Sequence, residues 1–249
     1  MKILSIGNSF SEDAHRWLHD ISLCGKTEID TTNLVIGGCT LETHIDCIKN
    51  RKESYNLQDN GLEYIKKASA NEVIENEKFD VVTVQQASGF SGRPQSYIPY
   101  LLEIVNYVKK NQPKAKLYFH KTWSYEIDST HDHFAFYNNN QSEMTRRISD
   151  CTETVQKLTG LPIIPVGDFI QYLRDNTREF SYKDGGISLC RDGFHLSHDY
   201  GRFSAAAVWL KTLTGENVNT ELFLKNQPDF DKKLINIITE SLEEFWCNR

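Results

Sequence analysis

Short apolar runs alternate along this chain with segments in which apolar residues recur at helical spacing. The apolar runs predict five strands, and the third is so continuously apolar that we expect both of its faces to be covered. The predicted strands are Lys2–Ile6, Glu28–Val35, Phe79–Val84, Ala115–Phe119 and Pro162–Val166. The helical spacing predicts amphipathic helices around residues 14–24 and over Ser96–Asn111, Gln141–Thr159, Tyr200–Thr214 and Phe230–Trp246.

The order of these elements indicates an α/β fold. Apolar strands that alternate with helices pair in parallel, which predicts a three-layer α/β/α sandwich with a doubly wound, mainly parallel five-stranded sheet. In the segment SYNLQDNGLEYIKKAS, the triplet Asp59-Asn60-Gly61 separates two runs and is typical of a hairpin turn. We therefore expect a single domain over residues 1–249, with an inserted hairpin near residues 55–69.

The composition and net charge of the chain limit the kinds of partner that we expect it to bind. The chain has 249 residues, of which 39% are hydrophobic and 25% charged, and its formal net charge is −6. A negative protein without a basic block is not expected to bind nucleic acid or an anionic membrane surface. No segment approaches the ~20 apolar residues of a membrane span, so no membrane partner is expected. The sequence shows no export signal, but a removed signal would leave the same sequence, so the compartment stays open, as does the oligomeric state.

A serine, a histidine and an aspartate stand at ends of predicted strands or in turns, where sites of α/β sheets form. Ser9 follows the first strand directly, and Asp192 and His195 lie three residues apart in a turn near the last helices. A serine becomes a nucleophile when a base takes its proton and a third group orients the base. The alternatives are that Ser9 only caps a helix and that Asp192 and His195 only cap a turn. His198 is a competing candidate for the base.

Donors for a developing oxyanion stand at the ends of the first three predicted strands. They are the backbone N–H groups of Ser9 and of the Gly37-Gly38 turn, and the side-chain amide of Gln85 or Gln86. Loss of one such donor typically costs about 100- to 1,000-fold in rate. As alternatives, the glycines only form a left-handed turn, and the glutamine amides only satisfy buried backbone groups.

Together these segments resemble the SGNH (GDSL-like) hydrolase superfamily. Gly7-Asn8-Ser9-Phe10-Ser11 resembles its Gly-Asp-Ser-Leu block, and Asp192-Gly193-Phe194-His195 resembles its final Asp-x-x-His block. The resemblance implies an SGNH/flavodoxin-like fold with Ser9 as nucleophile, Asp192 and His195 as orienting group and base, and Gly38 as an oxyanion donor. The overall pattern, including HKTWSY and the later YNNNQSEM, is similar to a branch of unassigned activity. Asn8 replaces the usual aspartate before the serine, a change that should leave the role of the serine intact.

The third block departs from the family pattern as well. VQQASG takes the place of Gly-x-Asn-Asp and is similar to SGNH branches that deacetylate carbohydrates, in which a glutamine replaces the asparagine. Direct alignment favours Gln85 as the donor, whereas strand alternation leaves Gln86 open.

Aromatic and histidine residues follow the fourth predicted strand. Trp123 and Tyr125 are expected to line a substrate pocket and stack on a sugar ring, with a half-buried structural role as the alternative. His131 and His133 imitate a metal cluster, but a polar loop without a helical or CxxC frame favours a surface role, so neither metal nor cofactor is expected.

The sequence therefore predicts a serine esterase that forms an acyl-enzyme on Ser9 with the Asp192–His195 pair as its base. The resemblance of the glutamine block favours O-acetyl esters of carbohydrates, so a small-molecule or carbohydrate ester is the expected partner. The alternatives are a lipid ester or thioester hydrolase and a catalytically inactive SGNH-fold protein that binds a small molecule.

Overall fold

The computed structural model describes residues 1–249 and has a seven-stranded sheet at its centre. The strands are Lys2–Gly7 (β1), Asp30–Val35 (β2), Tyr55–Asp59 (β3), Tyr64–Ala68 (β4), Val81–Val84 (β5), Lys116–His120 (β6) and Ile163–Ile164 (β7). They lie in the order β4-β3-β2-β1-β5-β6-β7, and the five strands from β2 to β7 in this order run parallel. The predicted doubly wound α/β fold is thus confirmed.

The prediction of five strands is wrong, because the segment expected as an insertion extends the sheet. Strand β3 pairs antiparallel with β2, with Leu57 opposite Leu34, and β4 pairs antiparallel with β3. Asn60 and Gly61 both have positive φ at the turn, which is the conformation that an Asn-Gly hairpin adopts. Tyr55 and Leu57 are buried, so the hairpin shares the core of the sheet.

Helices cover both faces of the sheet. They are Ser9–His15 (α1), Leu18–Ser22 (α2), Leu41–Lys49 (α3), Ala70–Asn76 (α4), Tyr100–Asn111 (α5), Gln141–Thr159 (α6), Val166–Asn176 (α7), Tyr200–Thr214 (α8), Thr220–Asn226 (α9) and Lys232–Cys247 (α10). One core joins α1, α2, α7, α8 and α10 to one face, and a second core joins α3, α4 and α5 to the other. Successive side chains of β1 point to opposite faces of the sheet, so Ile3 lies in the first core and Leu4 in the second.

None of these ten helices is long and apolar enough to cross a bilayer.

Three histidines are fully buried within the two cores. His15 contacts the hydroxyl of Ser5 through Nε2 (2.9 Å), His44 contacts the hydroxyl of Tyr55 through Nδ1 (3.0 Å), and His120 uses Nδ1 for its one hydrogen bond. The second ring nitrogen of each histidine has no partner in the protein. Burial lowers the pKa of each of the three to about 3, so all three rings are neutral near pH 7.

Candidate active site

Ser9 lies where β1 ends and α1 begins, at the carboxyl edge of the sheet. Asn8 has extended backbone and caps α1, because its Oδ1 accepts the N–H of Phe10 (3.0 Å). Ser9 is therefore the first residue of the helix, and its backbone N–H has no carbonyl within the helix to bind. Its side chain is partly exposed, at the centre of the sheet.

The structure brings His195 to Ser9 across 186 positions of sequence. His195 Nε2 lies 2.8 Å from Ser9 Oγ, and His195 Nδ1 lies 2.7 Å from Asp192 Oδ2. Because a carboxylate only accepts, Nδ1 carries the proton of the neutral ring and Nε2 accepts the Ser9 O–H. This is the order of contacts in which a histidine can take a proton from a serine. His198, the competing histidine, is exposed and does not contact Ser9.

A tight turn holds Asp192 against His195. Asp192 Oδ1 accepts the backbone N–H groups of Phe194 (3.2 Å) and His195 (2.8 Å), while Oδ2 takes the ring. Gly193 completes the turn with a φ of +84°, which a residue with a side chain rarely adopts. Partial burial raises the pKa of Asp192, but the hydrogen bonds from His195 and Phe194 outweigh it and hold that pKa below its ordinary value.

Asn8 joins three segments around the serine. Its Oδ1 accepts from Gln85 Nε2 (2.7 Å) as well as from Phe10, and its Nδ2 donates to the carbonyl of Cys39 (3.2 Å). An aspartate at this position would accept the first two bonds but has no proton for Cys39. The asparagine that departs from the family block thus ties the loop of Gly38 to the serine.

The two glutamines that the sequence left open differ in what they bind. Gln86 Nε2 donates to the carbonyl (2.8 Å) and the hydroxyl (3.0 Å) of Ser96, so both of its amide protons are used. Gln86 therefore cannot serve an oxyanion, and that prediction is wrong. Gln85 gives one amide proton to Asn8 and retains a second, while its Oε1 accepts from His120 Nδ1 (2.7 Å).

The backbone N–H groups of Ser9 and of the Gly37-Gly38 turn make no hydrogen bond within the protein. The turn at Gly38 has a φ of +65°, is exposed, and places no backbone N–H of Gly37 or Gly38 in a hydrogen bond. The N–H groups of Ser9 and Gly38 and the second amide proton of Gln85 thus have no acceptor within the protein.

Trp123 and Tyr125 lie beneath the site instead of lining it. Neither has exposed surface, so neither can stack on a sugar, and this prediction is wrong. The Trp123 ring stacks on Phe10 (4.1 Å between centroids), and its Nε1 donates to the carbonyl of Phe194 (2.7 Å). Trp123 therefore supports the neighbours of both Ser9 and His195. The physical reason is that the segment after β6 continues inward under residues 193–194 and does not turn to the surface.

Asp13 is a buried carboxylate beside the candidate site that the motifs do not reveal. It is fully buried one turn after Ser9 on α1 and accepts the backbone N–H of Leu196 (2.8 Å), Arg191 Nη1 (2.9 Å) and Arg202 Nε (2.8 Å). It thereby joins the helix of the serine to the loop of the histidine. The available signal was a carboxylate four residues after Ser9, on the apolar face of a short helix.

His131 and His133 are half-buried, and the ring of His131 lies 4.6 Å from that of Phe194 in the 192–195 turn. Burial and the neighbouring His133 lower the pKa of His131, with smaller opposing contributions from the nearby acidic residues. No three His, Cys, Asp or Glu side chains are grouped so as to hold a metal ion.

Comparisons with known proteins identify a family that this chain matches. A family model described as a domain of unknown function, DUF4886, matches residues 2–234. A crystal structure of a DUF4886 family protein from Bacteroides uniformis is 35% identical, covers 89% of this chain and 85% of its own, and has a TM-score of 0.80. No curated protein is similar enough in sequence to count as a relative.

More distant structures share the fold. A protein from Slackia heliotrinireducens assigned to the SGNH hydrolases is 19% identical, with 86% of this chain and 98% of its own covered at a TM-score of 0.58. An acetylxylan esterase from Geobacillus stearothermophilus is 14% identical, with 88% and 96% covered at a TM-score of 0.53. At these identities the likeness concerns the fold, and it confirms the resemblance to SGNH hydrolases.

Proposed function

The chain belongs to the DUF4886 family and has the fold of the SGNH hydrolases, and we propose that it is a serine esterase with Ser9 as its nucleophile. The observation that carries the proposal is the continuous hydrogen-bond chain from Ser9 Oγ through His195 to Asp192. If Ser9 only capped a helix and Asp192 and His195 only capped a turn, no contact between residues 186 positions apart would be expected.

In the first half of the reaction, Ser9 Oγ attacks the ester carbonyl while His195 Nε2 takes its proton. The carbonyl oxygen becomes an oxyanion, which the N–H groups of Ser9 and Gly38 and the second amide proton of Gln85 stabilise. Asp192 stabilises the imidazolium and keeps the ring in the productive orientation. The tetrahedral intermediate collapses when the C–O bond to the alcohol breaks and His195 returns the proton to the departing oxygen.

In the second half, water hydrolyses the acyl-enzyme. His195 Nε2 takes a proton from the water, whose oxygen attacks the acyl carbon at the same oxyanion site. The bond to Ser9 Oγ then breaks, Ser9 recovers its proton from His195, and the carboxylic acid leaves. No group other than these residues and water is needed to balance the reaction.

O-acetyl esters of carbohydrates are the substrates that we favour within this class. The glutamine block supports this choice, and one neighbour of the same fold is an acetylxylan esterase. The partly exposed serine leaves room for a bulky alcohol on the solvent side.

The test is hydrolysis of a small chromogenic acetate by the wild type, by Ser9→Ala and by Ser142→Ala. We expect Ser9→Ala to lose more than about 1,000-fold in kcat, since the three residues act as a unit. Ser142 is an exposed serine of α6 and serves as the matched control. A fluorophosphonate probe should label the wild type and the control but not Ser9→Ala. Labelling or turnover that persists without Ser9 would contradict the proposal.

A further inference from the structure

A row of half-exposed rings leads away from the catalytic histidine. The aromatic strip consists of Phe194, His131, His133, Phe136 and Phe90. The ring of Phe194 lies 4.1 Å from that of His195, and each further step of the strip, Phe194 to His131, His131 to His133 and His133 to Phe136, spans 4.6 to 5.1 Å between centroids. The strip is thus continuous with the site at Ser9.

Local contacts hold the histidines of the strip in place. His131 Nδ1 accepts the backbone N–H of His133 (3.1 Å), so the neutral ring carries its proton on Nε2 and keeps it as a donor. The ring of His133 packs directly on the backbone of Gly89, where any Cβ would collide with it. Phe90, the next residue, lies 5.0 Å from His133 on another side. The loop after β5 and the loop after β6 therefore build the strip jointly.

An arginine without a carboxylate partner ends the strip. The Arg93 guanidinium carbon lies 4.3 Å from the centroid of Phe136 and 5.6 Å from that of Phe90. No Asp or Glu oxygen lies within ion-pair distance of it, in contrast to Arg146 and Arg147 on the neighbouring α6. The amide oxygen of Gln95 accepts from Arg93 Nε (3.2 Å) and Nη2 (3.1 Å), which fixes the guanidinium and leaves its remaining protons free.

We propose that the aromatic strip binds the sugar rings of an acidic oligosaccharide that carries the ester, with Arg93 pairing with one of its carboxylates. This inference rests on the proposed function, whose substrate class it specifies. The exposed parts of the phenyl rings offer apolar surface to the C–H groups of sugar rings, and the interleaved imidazoles exchange hydrogen bonds with hydroxyl groups. An acyl chain would leave the imidazoles without partners, so a lipid ester fits this surface poorly. A planar guanidinium held over rings presents the fork that matches a carboxylate.

The experiment compares kcat/KM for two acetylated trisaccharides of equal length, an oligogalacturonide and a neutral xylo-oligosaccharide. We expect the wild type to prefer the acidic substrate. Arg93→Gln should lower the acidic-to-neutral ratio about tenfold through KM, the size of one charge-assisted contact at a partly exposed site. Arg93→Lys should retain part of the preference, because it keeps the charge and loses the fork. Arg178→Gln removes an exposed arginine elsewhere and should leave the ratio unchanged.

A second measurement separates this inference from the proposed function. Calorimetry records the binding of unacetylated trigalacturonate to Ser9→Ala and to Ser9→Ala with Arg93→Gln. Weaker binding by about tenfold in the double variant supports the inference even if no ester is hydrolysed, in which case the esterase proposal alone fails. Equal ratios for wild type and Arg93→Gln, or equal binding by the two Ser9→Ala proteins, would overturn the inference.

Discussion

Three buried histidines should make the fold sensitive to mild acid. His15, His44 and His120 each have a pKa of about 3 in the folded protein, against an ordinary value of 6.5 in the unfolded chain. Between these values the unfolded state binds protons that the folded state excludes. Stability therefore rises with pH across this window and falls as the pH is lowered from 7 to 5.

The size of the effect follows from the unfolded value. At pH 5 an unfolded histidine is almost fully protonated, which lowers the free energy of unfolding by about 2 kcal/mol per buried ring relative to pH 7. The three rings together amount to about 6 kcal/mol, a large share of the 5–15 kcal/mol that holds a typical domain folded. The carboxylates with lowered pKa, such as Asp192, lose their contribution only at more acidic pH.

Urea unfolding at pH 7, 6 and 5, followed by tryptophan fluorescence, measures this loss. His44→Gln, on the face of the sheet away from α1, should reduce the loss between pH 7 and 5 from about 6 to about 4 kcal/mol. Ile45→Val on the same helix should lower stability by about 1 kcal/mol equally at each pH. A wild type that loses less than about 2 kcal/mol, or a His44→Gln protein with the wild-type pH dependence, would refute the reasoning.

Three further substitutions test the site by chromogenic-ester kinetics. Asp192→Asn should lower kcat about 100- to 10,000-fold, because an amide does not stabilise the imidazolium of His195; a loss below tenfold would contradict its role. Asn8→Asp should lower kcat/KM about tenfold or more, since the carboxylate repels the Cys39 carbonyl, and an unchanged rate would show that this tie is dispensable. Asp13→Asn should lower the free energy of unfolding in urea by about 3 kcal/mol and also reduce kcat; stability lost at full kcat would limit Asp13 to the fold.

The parallel part of the fold could be predicted because its strands are buried on both faces and show continuous apolar runs. The Asn60-Gly61 turn was also visible, since it is set by local backbone conformation. The pairing of the hairpin with β2 was not, because it depends on contacts between segments far apart in sequence. A hairpin inserted at the surface and one that extends the sheet have the same local pattern.

In the candidate site, too, the local motifs could be predicted from the sequence, whereas the contacts between distant segments could not. Ser9, Asp192 and His195 stand in motifs whose local chemistry suggests their partners. The choice between Gln85 and Gln86 depended on which amide finds acceptors in other segments, and only the fold supplies Ser96 to Gln86. Asp13 was missed for a related reason, since its three donors come from the far end of the chain.

The long sequence separation of Ser9 and His195 has a consequence during protein synthesis. Ser9 is synthesised 186 positions before His195, the residue that it contacts in the fold. At roughly 5–20 residues per second, about 10 to 40 seconds pass between the two. Throughout that interval the nascent chain has Ser9 without His195, so the proposed activity cannot begin until His195 has been synthesised and has folded against Ser9.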